Sequence, residues 1–286
     1  MIRQLRVTLL VDDNAMPPLV AEHGLALWIE ADGARILFDT GQGTALFTNA
    51  ATLGIDLHTV QHIVLSHGHY DHAGGLAAVL DTAPNASVWL HPDALHPKYS
   101  RQPAPPHRSI GMPEPMASLI RSRAGIVWTD AHTAVADGVV ATGQIPRLNP
   151  VEHIGGHFFL DEACTVRDPL LDDQALFIDT PGGAVLLLGC AHGGVINTCE
   201  YVRAISGQRI RAILGGMHLQ NADERRLDAT LHALRQLSLE VIAPSHCTGE
   251  QAVGFIERAL PEAFRPSSAG YRYEQSSQSP FGWVAR

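Results

Sequence analysis

Three histidines and one aspartate are crowded into the run Ser-His-Gly-His-Tyr-Asp-His. His67 and His69 follow a short apolar segment, and side chains two positions apart in an extended chain share a face, so both imidazoles can point at one ion. Asp71 and His72 come next, and the glycines at 74–75 let the chain turn so that these two face a second ion. Packing alone does not account for this crowding, so the run predicts a metal site.

The ligand types indicate which ions and which chemistry to expect. Imidazole together with carboxylate suits Zn²⁺, and also Mn²⁺ or iron. Two divalent ions about 3.5–4 Å apart would share a water and lower its pKa toward about 7. The resulting metal-bound hydroxide attacks an ester carbonyl or a phosphorus centre, and an ion stabilises the developing oxyanion. We therefore expect a metal-dependent hydrolase with two ions, Zn²⁺ being the first choice, in which Asp71 also orients the nucleophile.

The composition favours a soluble protein with a large core and excludes several partners. Hydrophobic residues make up 45% of the 286 positions and charged residues 17%, which suits one large domain. The net charge of −9 makes nucleic acid a poor expectation. Apolar runs are too short for a signal peptide or a membrane span. We expect a cytoplasmic protein, monomeric or oligomeric, that acts on a small-molecule substrate and whose four cysteines are reduced.

Strand-like and helix-like segments alternate along the chain, which predicts a single α/β domain over residues 1–286 made of two similar halves. An Asp32-Gly33 hairpin turn joins the second and third predicted strands. The predicted strands are residues 6–11, 25–30, 35–38, 63–65, 88–90, 126–128, 139–142, 175–178, 184–188, 210–214 and 241–243. The predicted helices are residues 46–53, 74–80, 195–205 and 225–237.

Residues 92–115 break this rhythm because they contain seven prolines. Proline at this density prevents a regular helix or a central strand, so we expect a lid or a binding loop, with a solvated surface excursion as the alternative. Lys98 and Arg108 lie in this stretch and Arg147 follows later. Cations near a hydrolytic site would bind a phosphate or carboxylate of the substrate; solvated surface charge is the alternative for each.

The run from His67 to His72 resembles the HxHxDH signature of the metallo-β-lactamase fold superfamily. This resemblance implies a four-layer αβ/βα sandwich, with two central sheets flanked by helices and the metals at the sheet edges. Residues 36–41 resemble the early strand whose aspartate, here Asp39, supports the metal ligands from behind. Residues 242–247 resemble the late strand that ends in a metal-binding histidine, so His246 would join Asp71 and His72 on the second ion.

The middle of the chain departs from the family pattern. The strand that usually precedes a bridging aspartate is followed here by Cys190. The resemblance implies that His192 is the third ligand of the first ion and that Cys190 takes the bridging position. Asp173 is the alternative carboxylate if Cys190 only packs. His218 also follows a strand, and it is either a proton donor or substrate contact, or a packed, hydrogen-bonded histidine.

Six segments in order narrow the resemblance to hydrolases similar to 7,8-dihydropterin-6-methyl-4-(β-ribofuranosyl)aminobenzene-5′-phosphate synthase. It spans residues of about 5 to 250. It implies the fold and the metal site, and the leading hypothesis is hydrolysis of a small phosphodiester or related ester, pterin- or nucleotide-linked. A lactonase or thioesterase, a non-hydrolytic di-iron protein and a ligand-binding protein on the same fold are the alternatives. The segments are residues 22–25, 66–76, 172–176, 189–198, 215–219 and 245–249.

Overall fold

Two stacked sheets form the centre of the computed structural model, which describes residues 1–154 and 156–276. The strands of these sheets and of a third, small sheet are β1 (Gln4–Val11), β2 (Ala26–Ala31), β3 (Ala34–Phe38), β4 (His62–Val64), β5 (Ser87–Leu90), β6 (Tyr99–Ser100), β7 (Arg108–Ser109), β8 (Ile126–Trp128), β9 (Thr133–Ala136), β10 (Val139–Ala141), β11 (Phe158–Phe159), β12 (Leu176–Thr180), β13 (Gly183–Leu188), β14 (Ile210–Gly216), β15 (Val241–Ser245) and β16 (Arg272–Ser276).

The first sheet has the strand order β16-β1-β2-β3-β4-β5-β8. Its early strands are antiparallel, and the predicted hairpin between β2 and β3 is present, with Asp32 and Gly33 both at positive φ as a tight two-residue turn requires. From β3 onward the strands are parallel. The carboxyl end of β4 therefore faces the edge of the sheet, and the chain leaves it directly into the histidine-rich run.

The second sheet has the order β15-β14-β13-β12-β10-β9, and β13, β14 and β15 run parallel. The strand β13 is buried along its whole length. Val185 and Leu187 face the layer between the two sheets, whereas Ala184, Leu186 and Leu188 pack against helices on the outside. A strand covered on both faces needs a continuous apolar run, which is what the sequence supplies here.

Helices cover the outer face of each sheet, which completes the predicted four-layer sandwich. Buried apolar residues form one cluster between the sheets and one beneath the helices on either side. Among the described residues no helix is long and apolar enough to cross a membrane. The helices are α1 (Thr44–Thr52), α2 (Tyr70–Ala73), α3 (Leu76–Thr82), α4 (Glu114–Ser122), α5 (Val195–Ser206), α6 (Glu224–Gln236) and α7 (Glu250–Ala259), with 3₁₀ turns at Leu57–Thr59, Pro92–Leu95 and His246–Thr248.

The proline-rich stretch is more ordered than its composition predicts. It contains a 3₁₀ turn and the two short strands β6 and β7, and these pair with β11 in the order β11-β6-β7. Strands of two residues fit between prolines, which explains how this sheet forms without a long regular element. Gly111 forms an isolated bridge with His69, so the stretch is joined to the histidine-rich run.

Candidate metal centre

The histidine loop, residues 66–72, carries four of the predicted ligands to the edge of the first sheet. Its first part leaves β4 as irregular chain, and its last part enters α2, which holds Asp71 and His72. His67 and His72 are fully buried, and His69 and Asp71 are 6% and 8% exposed. The side chains of the loop therefore converge inside the protein, and solvent reaches only one side of them.

The first ligand set consists of His67, His69 and His192. One ring nitrogen of each lies within 4.8 Å of the other two, and Nε2 of His67 is 2.8 Å from Nδ1 of His69. His192 follows β13 on the second sheet, so this set joins the edges of both sheets. The grouping is the one that the family resemblance implied for the first ion.

The second ligand set consists of Asp71, His72 and His246, whose ligand atoms also lie within 4.8 Å of one another. The Nε2 atoms of His72 and His246 are 3.2 Å apart, and Oδ2 of Asp71 is 3.6 Å from Nε2 of His246. The rings of His67 and His72 are 4.3 Å apart, measured between their centroids. The two sets are therefore neighbours, as two ions that share one water require.

Cys190 lies between the two sets. Its Sγ atom is 3.2 Å from Nε2 of His72, and it groups with His67 and His72 as a possible ligand trio. Asp173 accepts a hydrogen bond from the Gly193 backbone at 2.7 Å and belongs to none of the ligand groups within the described chain. Burial raises the pKa of Asp173 to about 6. The geometry therefore favours Cys190 over Asp173 as the group nearest the bridging position.

The residues of these sets fit divalent cations. Burial lowers the pKa of the His67 and His69 imidazoles well below the ordinary value, which keeps both rings neutral and able to coordinate. Nε2 of His69 is buried and has no hydrogen-bond partner among the described residues. A buried polar atom without a partner is costly unless a ligand satisfies it. Nitrogen donors with one carboxylate and one thiol suit Zn²⁺ and related ions.

Asp39 supports the histidine loop from behind, in the position that the resemblance implied. Its Oδ2 atom is 2.7 Å from Nδ1 of His72, and its two oxygens accept hydrogen bonds from the backbone and the hydroxyl of Ser66 at 2.6 and 2.7 Å. Both Asp39 and His72 are fully buried. A carboxylate on Nδ1 fixes the tautomer and the ring direction, so Nε2 of His72 is presented to the ligand sets.

Asp12 and Asp13 support His246, a role that was not predicted from the sequence. Oδ1 of Asp13 is 2.7 Å from Nδ1 of His246, and Asp12 accepts a hydrogen bond from its backbone N–H. The other oxygen of Asp13 is 3.0 Å from His23, which also lies 3.3 Å from Asp71. Burial opposes ionisation of Asp13, but hydrogen bonds from His23 and His246 lower its pKa overall. The signal that could have shown this is an acidic pair directly after a buried strand.

Lys98 was predicted to contact the substrate, and its position in the structure shows that this prediction is wrong. Its side chain is fully buried, and Nζ lies 2.9 Å from both Asp168 and Asp172. Asp172 also accepts a hydrogen bond from the backbone of Gly68 at 2.8 Å. Lys98 therefore neutralises two buried carboxylates, one of which holds the histidine loop between His67 and His69. The charge is satisfied within the protein and does not face a substrate.

The two predicted arginines differ in their surroundings. Arg108 is exposed, donates a hydrogen bond to the hydroxyl of Tyr70, and lies over that ring at 5.0 Å. Burial and the charge of the nearby Asp71 raise the pKa of the Tyr70 hydroxyl, so the Arg108 guanidinium over that ring lies on the Asp71 side of the site. Arg147 is half-buried and donates to the carbonyl of Leu170 at 2.8 Å. This contact ties Arg147 to the loop before Asp172, and its charge also acts on the nearby Asp173 carboxylate.

His218 and Phe158 form one wall of the site. The His218 ring is 4.3 Å from that of His192, centroid to centroid, and His218 is 8% exposed. Phe158, at the start of β11, lies 5.3 Å from His69, 5.4 Å from His192 and 6.1 Å from His218. Phe158 was not predicted as a site residue. The small sheet therefore places an aromatic face beside the first ligand set.

The family profile described as the metallo-β-lactamase superfamily matches residues 20–246. The chain therefore belongs to the metallo-β-lactamase superfamily. Its fold matches the crystal structure of Tm1679, a metal-dependent hydrolase of the β-lactamase superfamily, with a TM-score of 0.81 and 29% identity over 96% of this chain and 100% of that one. Together with the ligand sets, this likeness makes the protein a metal-dependent hydrolase of that superfamily.

Two relatives from Methanocaldococcus jannaschii also match over most of their length. One is the uncharacterized protein MJ0448, 30% identical over 86% of this chain and 92% of its own. The other is 7,8-dihydropterin-6-methyl-4-(β-D-ribofuranosyl)-aminobenzene-5′-phosphate synthase, 26% identical over 94% of this chain and 96% of its own. The subgroup suggested by the sequence motifs is thus found among the relatives.

Proposed function

We propose that the protein hydrolyses a small phosphodiester or related ester attached to a flat heteroaromatic group, such as a pterin or a nucleobase, with two Zn²⁺ ions. Two adjoining ligand sets carry this proposal: His67, His69 and His192 on one side, and Asp71, His72 and His246 on the other. When bound there, divalent ions supply a hydroxide nucleophile at neutral pH and polarise the phosphoryl or carbonyl oxygen.

Side chains of this protein orient the nucleophile, supply a proton and hold the ligand rings in place. Asp71 accepts a hydrogen bond from the nucleophile and holds its lone pair toward the ester. His218 lies beside His192 on the Phe158 side of the site, and we assign it the proton that the leaving oxygen needs. Asp39 and Asp13 keep the rings of His72 and His246 in fixed orientations, which limits the reorganisation needed during reaction.

The walls of the site support the choice of substrate class. Phe158 offers a ring on which a planar heterocycle can stack. The Arg108 guanidinium is exposed at the edge and can pair with a phosphate oxygen. The name of the synthase relative combines a dihydropterin and a phosphate in one compound, which is the same pairing of a flat ring and an anion.

The proposal is tested by comparing bis-p-nitrophenyl phosphate, an acyl lactone and a thioester as substrates of the purified protein. We expect the phosphodiester to be cleaved fastest, with activity lost on chelation and regained when Zn²⁺ is added. The His69→Ala variant should fall to the background rate. The matched control is His232→Ala, which removes an exposed imidazole on α6 and should keep the wild-type rate.

Three results would contradict parts of the proposal. Activity that survives chelation would rule out metal-dependent hydrolysis. A lactone or thioester as the best substrate would replace the phosphodiester with the rival ester class. Elemental analysis that finds iron in place of zinc, with oxygen consumption and without hydrolysis, would favour a redox di-iron protein.

A further inference from the structure

Two cysteines and a histidine meet at the ends of three neighbouring strands. Cys190 follows β13, His218 follows β14 and Cys247 follows β15. Since these strands are parallel and adjacent, their carboxyl ends lie at one edge of the sheet. Both Sγ atoms and one ring nitrogen of His218 lie within 4.8 Å of one another, and the three residues are between 4% and 8% exposed.

The backbone near Cys247 leaves room for its sulfur atom. A Cβ atom at Gly216 would lie 2.8 Å from Sγ of Cys247, so any larger residue at Gly216 would displace it. The backbone N–H of His218 donates a hydrogen bond to this sulfur at 3.3 Å. A donor aimed at the sulfur favours its thiolate form, which is the form that binds metals.

Cys247 belongs to a different side of the site from its neighbour His246. The His246 ring is held by Asp13 through Nδ1 and meets His72 through Nε2. Cys247 instead lies against Cys190, and its Sγ is 3.7 Å from the Cys190 carbonyl oxygen. Consecutive residues thus serve two separate groups of ligand atoms. Cys190 also lies beside the two hydrolytic sets, whereas Cys247 belongs to neither of them.

The backbone fixes these side chains at some energetic cost. His218 and His246 have φ values of +45° and +48°, in the left-handed region that residues other than glycine rarely adopt. Such conformations are unfavourable and persist where the surrounding structure requires them. The strained residues are those that carry ring nitrogens to the cluster and to the second ligand set.

The chemistry of the cluster differs from that of the hydrolytic sets. Two thiolates and one imidazole form a soft ligand set, which selects Zn²⁺, Cd²⁺ or Co²⁺ over harder ions. Zn²⁺ binds a thiolate at about 2.3 Å and an imidazole nitrogen at about 2.0 Å, so small side-chain rotations would bring the three atoms onto one ion. We propose that Cys190, His218 and Cys247 hold a third, thiophilic cation that ties together the ends of β13, β14 and β15.

Cobalt spectroscopy tests the proposal without reference to catalysis. The metal-free protein, kept reduced, is titrated with Co²⁺ while the near-ultraviolet thiolate-to-cobalt absorption is recorded. We expect Cys247→Ser to bind one Co²⁺ fewer per chain than the wild type and to lose the thiolate-to-cobalt absorption of the cluster, since the two remaining side chains no longer hold the ion. The matched control is Cys199→Ser, a buried cysteine of α5 outside the ligand groups, which should match the wild type.

A measurement on the unmodified protein covers the case in which Cys247→Ser does not fold. X-ray absorption at the zinc edge should show sulfur scatterers at about 2.3 Å. Absence of sulfur around the zinc, or equal cobalt uptake and absorption in Cys247→Ser and the wild type, would overturn the proposal. A Cys190–Cys247 disulfide that persists in reduced preparations would also overturn it, because the sulfur atoms would then be unable to bind an ion.

A second experiment on the cluster rests on the proposed function. An ion in the cluster engages the ring of His218, to which we assigned the leaving-group proton. Excess Zn²⁺ should therefore slow hydrolysis in the wild type and in Cys199→Ser, and should slow Cys247→Ser less. Failure of hydrolysis in all variants would contradict the proposed function and leave the cobalt result as the independent measure of the cluster.

Discussion

The histidine loop and the strand ends of the second sheet supply ligands to one site in opposite ways. The histidine loop delivers four candidate ligands from seven consecutive residues. The strand ends deliver His192, His218 and His246 from three separate strands of one sheet. A local run fixes its own geometry through chain connectivity, whereas the second group depends on correct sheet assembly. The comparison indicates that the two sides of the site respond differently to mutation.

Their supporting contacts also differ in exposure to water. The histidine loop is held by Asp39 and by the Lys98–Asp172 pair, all of them fully buried. Asp12, which is buried, accepts only from the backbone of His246, and the ring of His246 is held by Asp13, whose side chain is 35% exposed. Charges in contact with solvent are screened and contribute less than buried ones. We therefore expect the histidine loop to be the rigid side of the site and the strand ends the adjustable side.

The largest effect is expected from Lys98→Met. Removing this ammonium leaves Asp168 and Asp172 buried without a cation, which should lower the free energy of unfolding by about 3–5 kcal/mol. Urea unfolding of the metal-free protein measures the loss. The matched control is Arg147→Met, which removes a half-buried cation with a hydrogen bond to one carbonyl and should cost about 1 kcal/mol. Equal losses of unfolding free energy in the two variants would show that the buried ion pairs of Lys98 do not stabilise the histidine loop more than the Arg147 contact does.

An intermediate effect is expected at the two supporting aspartates. Asp39→Asn should lower Zn²⁺ affinity by about 10–100-fold, because the amide no longer fixes His72 as a charged acceptor does. Asp13→Asn should lower it less than tenfold, because water already screens that carboxylate. Competition with a chromophoric chelator measures both affinities. A larger loss at Asp13 than at Asp39 would reverse the comparison.

The smallest effect is expected from Arg108→Ala at the exposed edge. Loss of one screened contact to a phosphate should raise KM for a phosphodiester about two- to fivefold and leave kcat unchanged. The difference from wild type should disappear at high salt, since exposed charges are screened there. Steady-state kinetics at two ionic strengths measures this. A fall in kcat would mean that Arg108 acts on the reacting group and not only on binding.

Much of the fold could be predicted because its core strands are short apolar runs separated by turn residues. The segment at 126–128 has the same bounds in prediction and structure, and the other predicted strands and helices differ by a few residues at their ends. The helices α2, α4 and α7 and the strands β6, β7, β9, β11 and β16 were missed. In β16 Tyr273 alone is buried, and its pairing is with β1 at the other end of the chain. A local pattern of apolar residues contains no sign of such a partner.

The site could be predicted only in part, for a related reason. The histidine loop is visible in the sequence because its ligands are adjacent, and His192, Cys190 and His246 followed from the family resemblance. The Asp13–His246 contact joins residues 233 positions apart, and Lys98 meets its carboxylates 70 and 74 positions downstream. Charge alone does not say whether a lysine faces a substrate or a buried acid. Only the packing of distant segments decides that.

The left-handed residues at the strand ends have a consequence for stability. Ala191, His218 and His246 have φ values between +45° and +55°, a left-handed conformation that glycine adopts with less strain than other residues. Glycine at position 218 or 246 would relieve the backbone strain but would also remove the ring nitrogen that the histidine brings to the site. At the ends of the strands of the second sheet, backbone stability and the supply of imidazoles to the site are therefore opposed.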